Sequence, residues 1–334
     1  MNVNKNSLSS SELGVLWLIY QQKTLILRML EYFLEKSDNQ QAKNIMGGVW
    51  QELDPLVEKV KRTFEEDGAV VPVGFTKADI NLEAPKLYDN GFDILFLRVF
   101  KEISMGMYSI CLNMSYREDV ISIFENFSSL TQKTYKISTQ YLLKNGLLSL
   151  PPKVTMPVTT EFIQSKEYLK GFRLFNDKRA LNDLEIGIMH HGIESNLIGL
   201  QLITGFAQCT NNQDVKKYIK KGMELAKKQI KMYEDDLLNN NVQPSAAVGS
   251  TVTTSTIAPF SNKLMMYCIY LLNGFGMVGS SFGTMFTLRN DLIMDSGMTA
   301  KDILLYSNEG TKLMIKNGWF EEPPQSEDRV GLTK

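Results

Sequence analysis

The densest group of metal-ligand side chains in this 334-residue chain is His190-His191-Gly192-Ile193-Glu194. His190 and Glu194 are four residues apart and His191 and Glu194 three, so on a helix either pair shares a face and offers one nitrogen and one carboxylate. A mononuclear site needs a third protein ligand, and the nearest acid, Glu185, reads as part of a helix cap. A di-iron centre asks for Glu from two helices and Glu-x-x-His from two others. Glu-x-x-His does not occur: Glu52 is followed three residues on by Pro55, and Glu224 by Lys227. His190 also lies in the apolar stripe of Ile186, Ile193 and Leu197, which makes it a packing position. No cofactor and no catalytic residue set is therefore expected. Iron, manganese or zinc at His190, His191 and Glu194 belongs to an alternative reading, a metal-binding oxidoreductase or storage module.

Other chemistry is equally short of parts. There is no Cys-x-x-Cys. Arg117-x-Asp119 and Arg289-x-Asp291 sit just after Ser115 and Thr287, where a tight turn opens a helix. An ion pair holding that turn is expected of each. The 36 Lys plus Arg nearly cancel the 37 Asp plus Glu, which excludes a dedicated nucleic-acid surface. Three cysteines, Cys111, Cys209 and Cys268, form no close pair and suit a reducing compartment. The segment from Met1 to Glu12 is polar and lacks the order of a secretory signal. A cytoplasmic location is expected.

The elements that would position these residues repeat. Lys144-Asn145-Gly146 and Pro151-Pro152 recur as Lys316-Asn317-Gly318 and Pro323-Pro324, an offset of 172 residues (316 − 144, and 323 − 151). Arg117 and Asp119 fall on Arg289 and Asp291 at the same spacing, and Ala84-Pro85 on Ala258-Pro259 after a short gap. Ser9 with Glu12, and Asn182 with Glu185, have the spacing of a reciprocal helix cap at the start of each copy. Apolar residues then follow at helical spacing: Leu13, Trp17, Tyr20 and Leu27 in one copy, Ile186, Ile193, Leu197 and Leu200 in the other. A second helix spans about Gln40 to Glu66, with a counterpart from about Asp214 to Leu238. A stretch rich in Gly, Pro, Thr and Val follows, Gly68 to Pro85 and Asn240 to Pro259. Two more helices, about Leu87 to Met114 and Arg117 to Lys144, end at Asn-Gly. About twenty extended residues can travel the length of a 26-residue helix, roughly 39 Å, so helix three can run parallel to helix two.

The expected fold is thus all-α: two tandem ferritin-like four-helix bundles, each with a long crossover between helices two and three. The first covers 1–155 and the second 180–334, joined by a linker over 156–179 with a short amphipathic helix, Phe162 to Phe172. Hydrophobic residues at 43% of the chain suffice for a core in each half. Leu264 to Leu288 carries no charge and contains Gly279-x-x-x-Gly283, long enough to span a membrane. Its repeat partner, Phe92 to Tyr116, holds Asp93, Arg98, Lys101 and Glu102, so a helix buried on every side is expected instead, its glycines meeting another helix.

These residues resemble the tandem-repeat family of spore-forming bacteria known as domain of unknown function 3231. The resemblance is carried by Val71 to Asn81, by Arg117-Glu118-Asp119-Val120, by Lys144-Asn145-Gly146 with Pro151-Pro152, and in the second half by Ala258 to Met266 and Lys316-Asn317-Gly318-Trp319. It implies ferritin-like bundles, a loose kinship to spore coat F-like proteins, spore association and no assigned reaction. The reading is a non-enzymatic structural or interaction protein with a protein partner or self-association, no nucleic acid and no membrane insertion. A further alternative is a bundle that binds lipid or another small molecule through the charge-free helix and the methionines.

Overall fold

Helix starts follow the side chains that cap them. In the computed structural model, which describes residues 7–89, 91–171, 178–244 and 251–333, Ser9 and Glu12 form the reciprocal cap of α1 (Ser10–Lys36), and Asn182 and Glu185 that of α5 (Asp183–Cys209). Asn39 and Asn212 cap the second helix of each half, α2 (Gln40–Glu66) and α6 (Gln213–Leu238). The third and fourth helices are α3 (Phe92–Asn113) and α4 (Glu118–Lys144), matched by α7 (Asn262–Phe286) and α8 (Asn290–Lys316). Both fourth helices end at the expected Asn-Gly. Gly146 and Gly318 take left-handed φ values of 65° and 66°, and the N–H groups of Leu147 and Trp319 reach back to the carbonyls of Leu142 and Met314.

Hydrogen bonds fix the helix directions. The Ser11 hydroxyl donates to the Met114 carbonyl, and the Leu8 N–H to the Asp67 carboxylate. The ends of α2 and α3 therefore both lie beside the start of α1, so α2 and α3 run parallel. At the other end of α1 the Tyr32 hydroxyl donates to the Pro85 carbonyl and accepts from the Leu87 N–H. The connection between has travelled the length of the bundle. In the second half the Gln208 amide, near the end of α5, donates to the Thr253 carbonyl of the equivalent connection. Each half is a four-helix bundle with one long crossover, as the sequence predicts.

The third helix starts later than expected because the crossover pairs first. Tyr88–Asp89 (β1) and Thr251–Val252 (β2) form a two-stranded antiparallel sheet, Tyr88 opposite Val252. Further along, Ile80 bridges to Phe260, and the Asn81 and Ser261 N–H groups bond to the carbonyls of Pro259 and Asp79. The two crossovers thus lie against each other as an antiparallel ribbon, and Gly91, at φ 77°, turns the chain out of it into α3. Residues 245–250 of the second connection, and Phe172 in the linker, lie outside the described residues. The linker holds a short 3₁₀ turn, Lys166–Leu169, in place of an amphipathic helix. Phe162 beside it is 81% exposed. The turn is tied to the start of α5 by Arg179, which donates to the Tyr168 carbonyl and lies 4.1 Å from its ring centroid.

The ribbon makes one core from two bundles. A single apolar cluster runs from Leu16 and Ile19 through Phe260 to Phe206, Ile219 and Met314; a smaller one, around Ile186, Met189 and Leu292, closes the far end of the second half. Phe260, from the second crossover, sits with its ring centroid 5.1 Å from Tyr32 of α1 and 6.1 Å from Phe206 of α5. Tail residue Glu321 accepts the N–H groups of Val73 and Gly74 in the first crossover, each at 2.8 Å. Phe260→Ala should cost about 3–5 kcal/mol, and urea denaturation followed by circular dichroism should show one transition rather than two.

Candidate functional site

The sequence-predicted ligands lie where the two bundles touch, and their neighbours decide what they do. Arg98 of α3 is buried, with a guanidinium 2.8 Å from Glu194 of α5 and 3.1 Å from Glu102. It also donates to the hydroxyls of Tyr135 and Thr139 on α4. His191 stands 3.2 Å from the other oxygen of Glu102. Burial and the nearby Glu102 push the Glu194 carboxyl up, against the pull of Arg98. The hydrogen bond to Glu102 raises the pKa of His191, whereas burial lowers that of His190, which bonds to the backbone of Ser149. The structure therefore brings His191 and Glu194 together and sends His190 elsewhere. A guanidinium already supplies the positive charge between the two carboxylates. No group of three or more His, Cys, Asp or Glu able to hold a metal occurs among the described residues.

The arginine–aspartate pairs hold turns, as expected, but no hydroxyl caps them. Ser115 bonds instead to the Cys111 carbonyl, and Arg117 and Arg289 are themselves the cap residues. The N–H groups of Tyr116 and Arg117 donate to Glu12, the same carboxylate that closes the cap of α1. Burial opposes the charge on Glu12, yet the bonds from Ser9, Arg117 and Tyr116 hold its pKa down at about 2. Arg117 joins Asp119 and Asp67. Its counterpart Arg289 is fully buried and joins Asp291, Asn240 and the Arg179 carbonyl.

The interiors of the bundles differ. Aligned on their caps (182 − 9 and 212 − 39 give an offset of 173, 289 − 117 an offset of 172), buried Ile19, Ile26 and Val49 correspond to Gly192, Gly199 and Gly222. Buried Tyr108, Phe124 and Phe127 correspond to Ser280, Ser296 and Thr299, and Met107 to Gly279. Even the two lysines sealed inside the first bundle, Lys23 and Lys101, correspond to Asn196 and Asn273. Lys23 donates to Ser104 at 3.1 Å and lies 4.7 Å from the Tyr108 ring centroid. Neither lysine has a carboxylate partner among the described residues. Burial lowers Lys23 well below the ordinary lysine value and Lys101 to about 8.

Some of the space released in the second bundle is taken by tyrosines. A Cβ on Gly222 would collide with the Tyr306 hydroxyl, one on Gly310 with that of Tyr218, and one on Gly192 with the Tyr233 ring. The rest stays open. A methyl group on Gly187, Gly199 or Gly279 would meet nothing within 4 Å, and a cavity of about 520 Å³ runs among α5, α6, α7 and α8. It opens between α5 and α7, where the lining residues Leu184, Val278 and Phe282 are about half exposed. None of its lining side chains is Lys, Arg, Asp or Glu. The Ser195 hydroxyl is shielded and has no partner among the described residues.

This corrects the expectation for the charge-free helix. Although α7 is long and apolar enough to cross a membrane, only 44% of its most apolar stretch is buried. Its outward stripe of Val278, Phe282, Met285 and Phe286 is exposed; Gly276 and Gly283 do lie against other helices, beside Ile303 of α8 and Ile188 of α5, whereas Gly274 and Gly279 face open space. Met265 and Met266 are core residues, 1% exposed, and form no binding surface.

A family model described as "Protein of unknown function (DUF3231)" matches residues 1–159 and again 170–332. The chain belongs to that family, in two tandem copies. Among solved structures it is similar to a "putative spore coat protein" from Bacillus halodurans C-125, at 18% identity and a TM-score of 0.43, over 45% of this chain and 98% of that one. No curated protein matches it in sequence.

Two outcomes test the electrostatic assignments. Arg98→Met leaves Glu102 and Glu194 buried without their cation and should cost about 3–5 kcal/mol in urea denaturation, part of it recovered by adding Glu194→Gln. Lys101 has a folded pKa below its unfolded one, so its ionisation penalty is full below about pH 8 and fades towards pH 10.5. Lys101→Met should therefore raise the melting temperature at pH 7, with a gain of about 1–3 kcal/mol that shrinks steadily in scans towards pH 10.

Proposed function

We propose that this member of the family is a non-catalytic binding protein, with the second bundle as receptor for a small apolar molecule and the first as its solid support. One observation carries the reading. At equivalent positions of a duplicated fold, the large interior side chains of one bundle are glycine, serine and threonine in the other, and a cavity of about 520 Å³ remains. That size falls within the range of ligand pockets, about 300–1,000 Å³.

Physical chemistry favours a ligand over an empty hole. Apolar wall left facing water is a cost that filling would recover, and glycine inside a helix costs about 1 kcal/mol against alanine. A bundle selected only for stability or as a spacer would regain both by keeping the first bundle's side chains. His191, the member of the ion cluster that lines the cavity, is held by Glu102, and the buried lysines lie in the first bundle, so binding without a reaction is the reading that fits the residues present.

The test restores the first bundle's residues in the second. Gly199→Ile with Gly279→Met places the counterparts Ile26 and Met107 into open space. The double variant should gain about 1–3 kcal/mol in stability and lose uptake of the uncharged apolar dye Nile red, measured by fluorescence. Equal uptake by the parent and the filled variant, or none by either, would contradict the proposal.

A further inference from the structure

Resting on that reading of the cavity, we infer that its ligand is an uncharged single-chain lipid, a long-chain alcohol, ester or isoprenoid, that enters lengthwise between α5 and α7. Three features of the walls point there. The first is shape. The lining runs along α5 from Leu184 to Ile203, about five helical turns or roughly 28 Å, whereas α8 contributes only Ile303 and Tyr306. The space is long and follows the bundle axis, which suits a chain better than a compact ring system.

The second feature is charge. The cavity holds amide, hydroxyl and hydrocarbon groups and no Lys or Arg. An ionised carboxylate carried inside would be left without a cation, and burying an unpaired charge is far more costly than burying a hydroxyl. His191 at the entrance is already paired through Nε2 with the Glu102 carboxylate, which balances any charge it carries. The cations that could have served a fatty-acid anion sit at the equivalent positions of the first bundle, Lys23 and Lys101. In the second bundle those positions are Asn196 and Asn273, which line the cavity. Neutral hydrogen-bonding groups therefore stand where the charged ones would be.

The third feature is the entrance. Leu184, Val278 and Phe282 are exposed at its rim, and Met285 and Phe286 continue the same outward face of α7. An apolar rim lets a chain slide from another hydrophobic environment into the bundle without passing fully through water. The opposite seam, between α6 and α8, is closed by the Tyr218–Tyr306 stack, with ring centroids 4.2 Å apart, so entry is one-sided.

Competition on the full-length protein tests the assignment. Nile red is bound first and then displaced at pH 8 by 1-hexadecanol or by hexadecanoate, each below the concentration at which it forms micelles or aggregates. The alcohol should displace the dye at a concentration about tenfold or more below that needed for the anion. Gly199→Ile alone, confirmed as folded by circular dichroism, should weaken both the dye and the alcohol. Hexadecanoate competing as well as the alcohol would overturn the charge assignment while leaving the cavity as a binding site. Failure of 1-hexadecanol to displace the dye, or displacement unchanged in Gly199→Ile, would overturn the lipid assignment. If Nile red does not bind the parent protein at all, the proposed function falls with it.

Discussion

A reciprocal pair of tyrosines on glycines sets the spacing on which the second bundle depends. Tyr218 of α6 places its hydroxyl over Gly310 of α8, Tyr306 of α8 places its own over Gly222 of α6, and the two rings stack almost parallel, 4° apart. Neither glycine can carry a methyl group while these rings stay in place. The stack pins α6 against α8 and fills that side of the interior. Opposite it, α5 and α7 bear small residues where the first bundle bears large ones, and they touch where Ile188 meets Gly283 and His191 meets Phe275. A hollow results because the two helix pairs are held apart by aromatic wedges and end clamps while the side chains between are too short to meet.

The clamps are electrostatic and repeat in both halves. A carboxylate that closes the cap of the first helix, Glu12 or Glu185, also accepts the N–H groups of the turn between the third and fourth helices. An arginine at that turn ties it back to the end of the second helix, at Asp67 in one half and Asn240 in the other. Four helix ends are thereby fixed by two side chains. The crossover ribbon then fastens one bundle to the other, and Arg98 secures the same interface with Glu194. This division of labour leaves the mid-section of the second bundle free of structural duty, which is where the cavity lies.

Much of this was legible in the residue order. The caps at Ser9 and Asn182, the Asn-Gly terminators and the length of the crossovers specify two four-helix bundles by local chemistry and chain reach alone. Contacts between distant segments were not legible: the pairing of the crossovers depends on which loops meet, and Arg98 finds Glu194 only once the bundles are docked. The cluster of His190, His191 and Glu194 looked like ligands because spacing along one helix reveals nothing of the cation that a neighbouring helix brings. The hollow does have a signal in the residues, carried by the comparison of the two halves. Setting Ile19, Ile26, Tyr108 and Phe127 beside Gly192, Gly199, Ser280 and Thr299 shows a loss of interior volume, whereas glycines in a charge-free helix suggest close helix packing when read alone.

The central claim is that the second bundle encloses space held for a molecule. A high-resolution crystal structure of protein purified without detergent or organic solvent tests it most directly. The account predicts elongated density among α5, α6, α7 and α8, passing between Gly199 and Gly279, with side chains from opposite walls out of contact. Helices α5 and α7 closed on each other, with their side chains meeting across the axis and no room between, would contradict it.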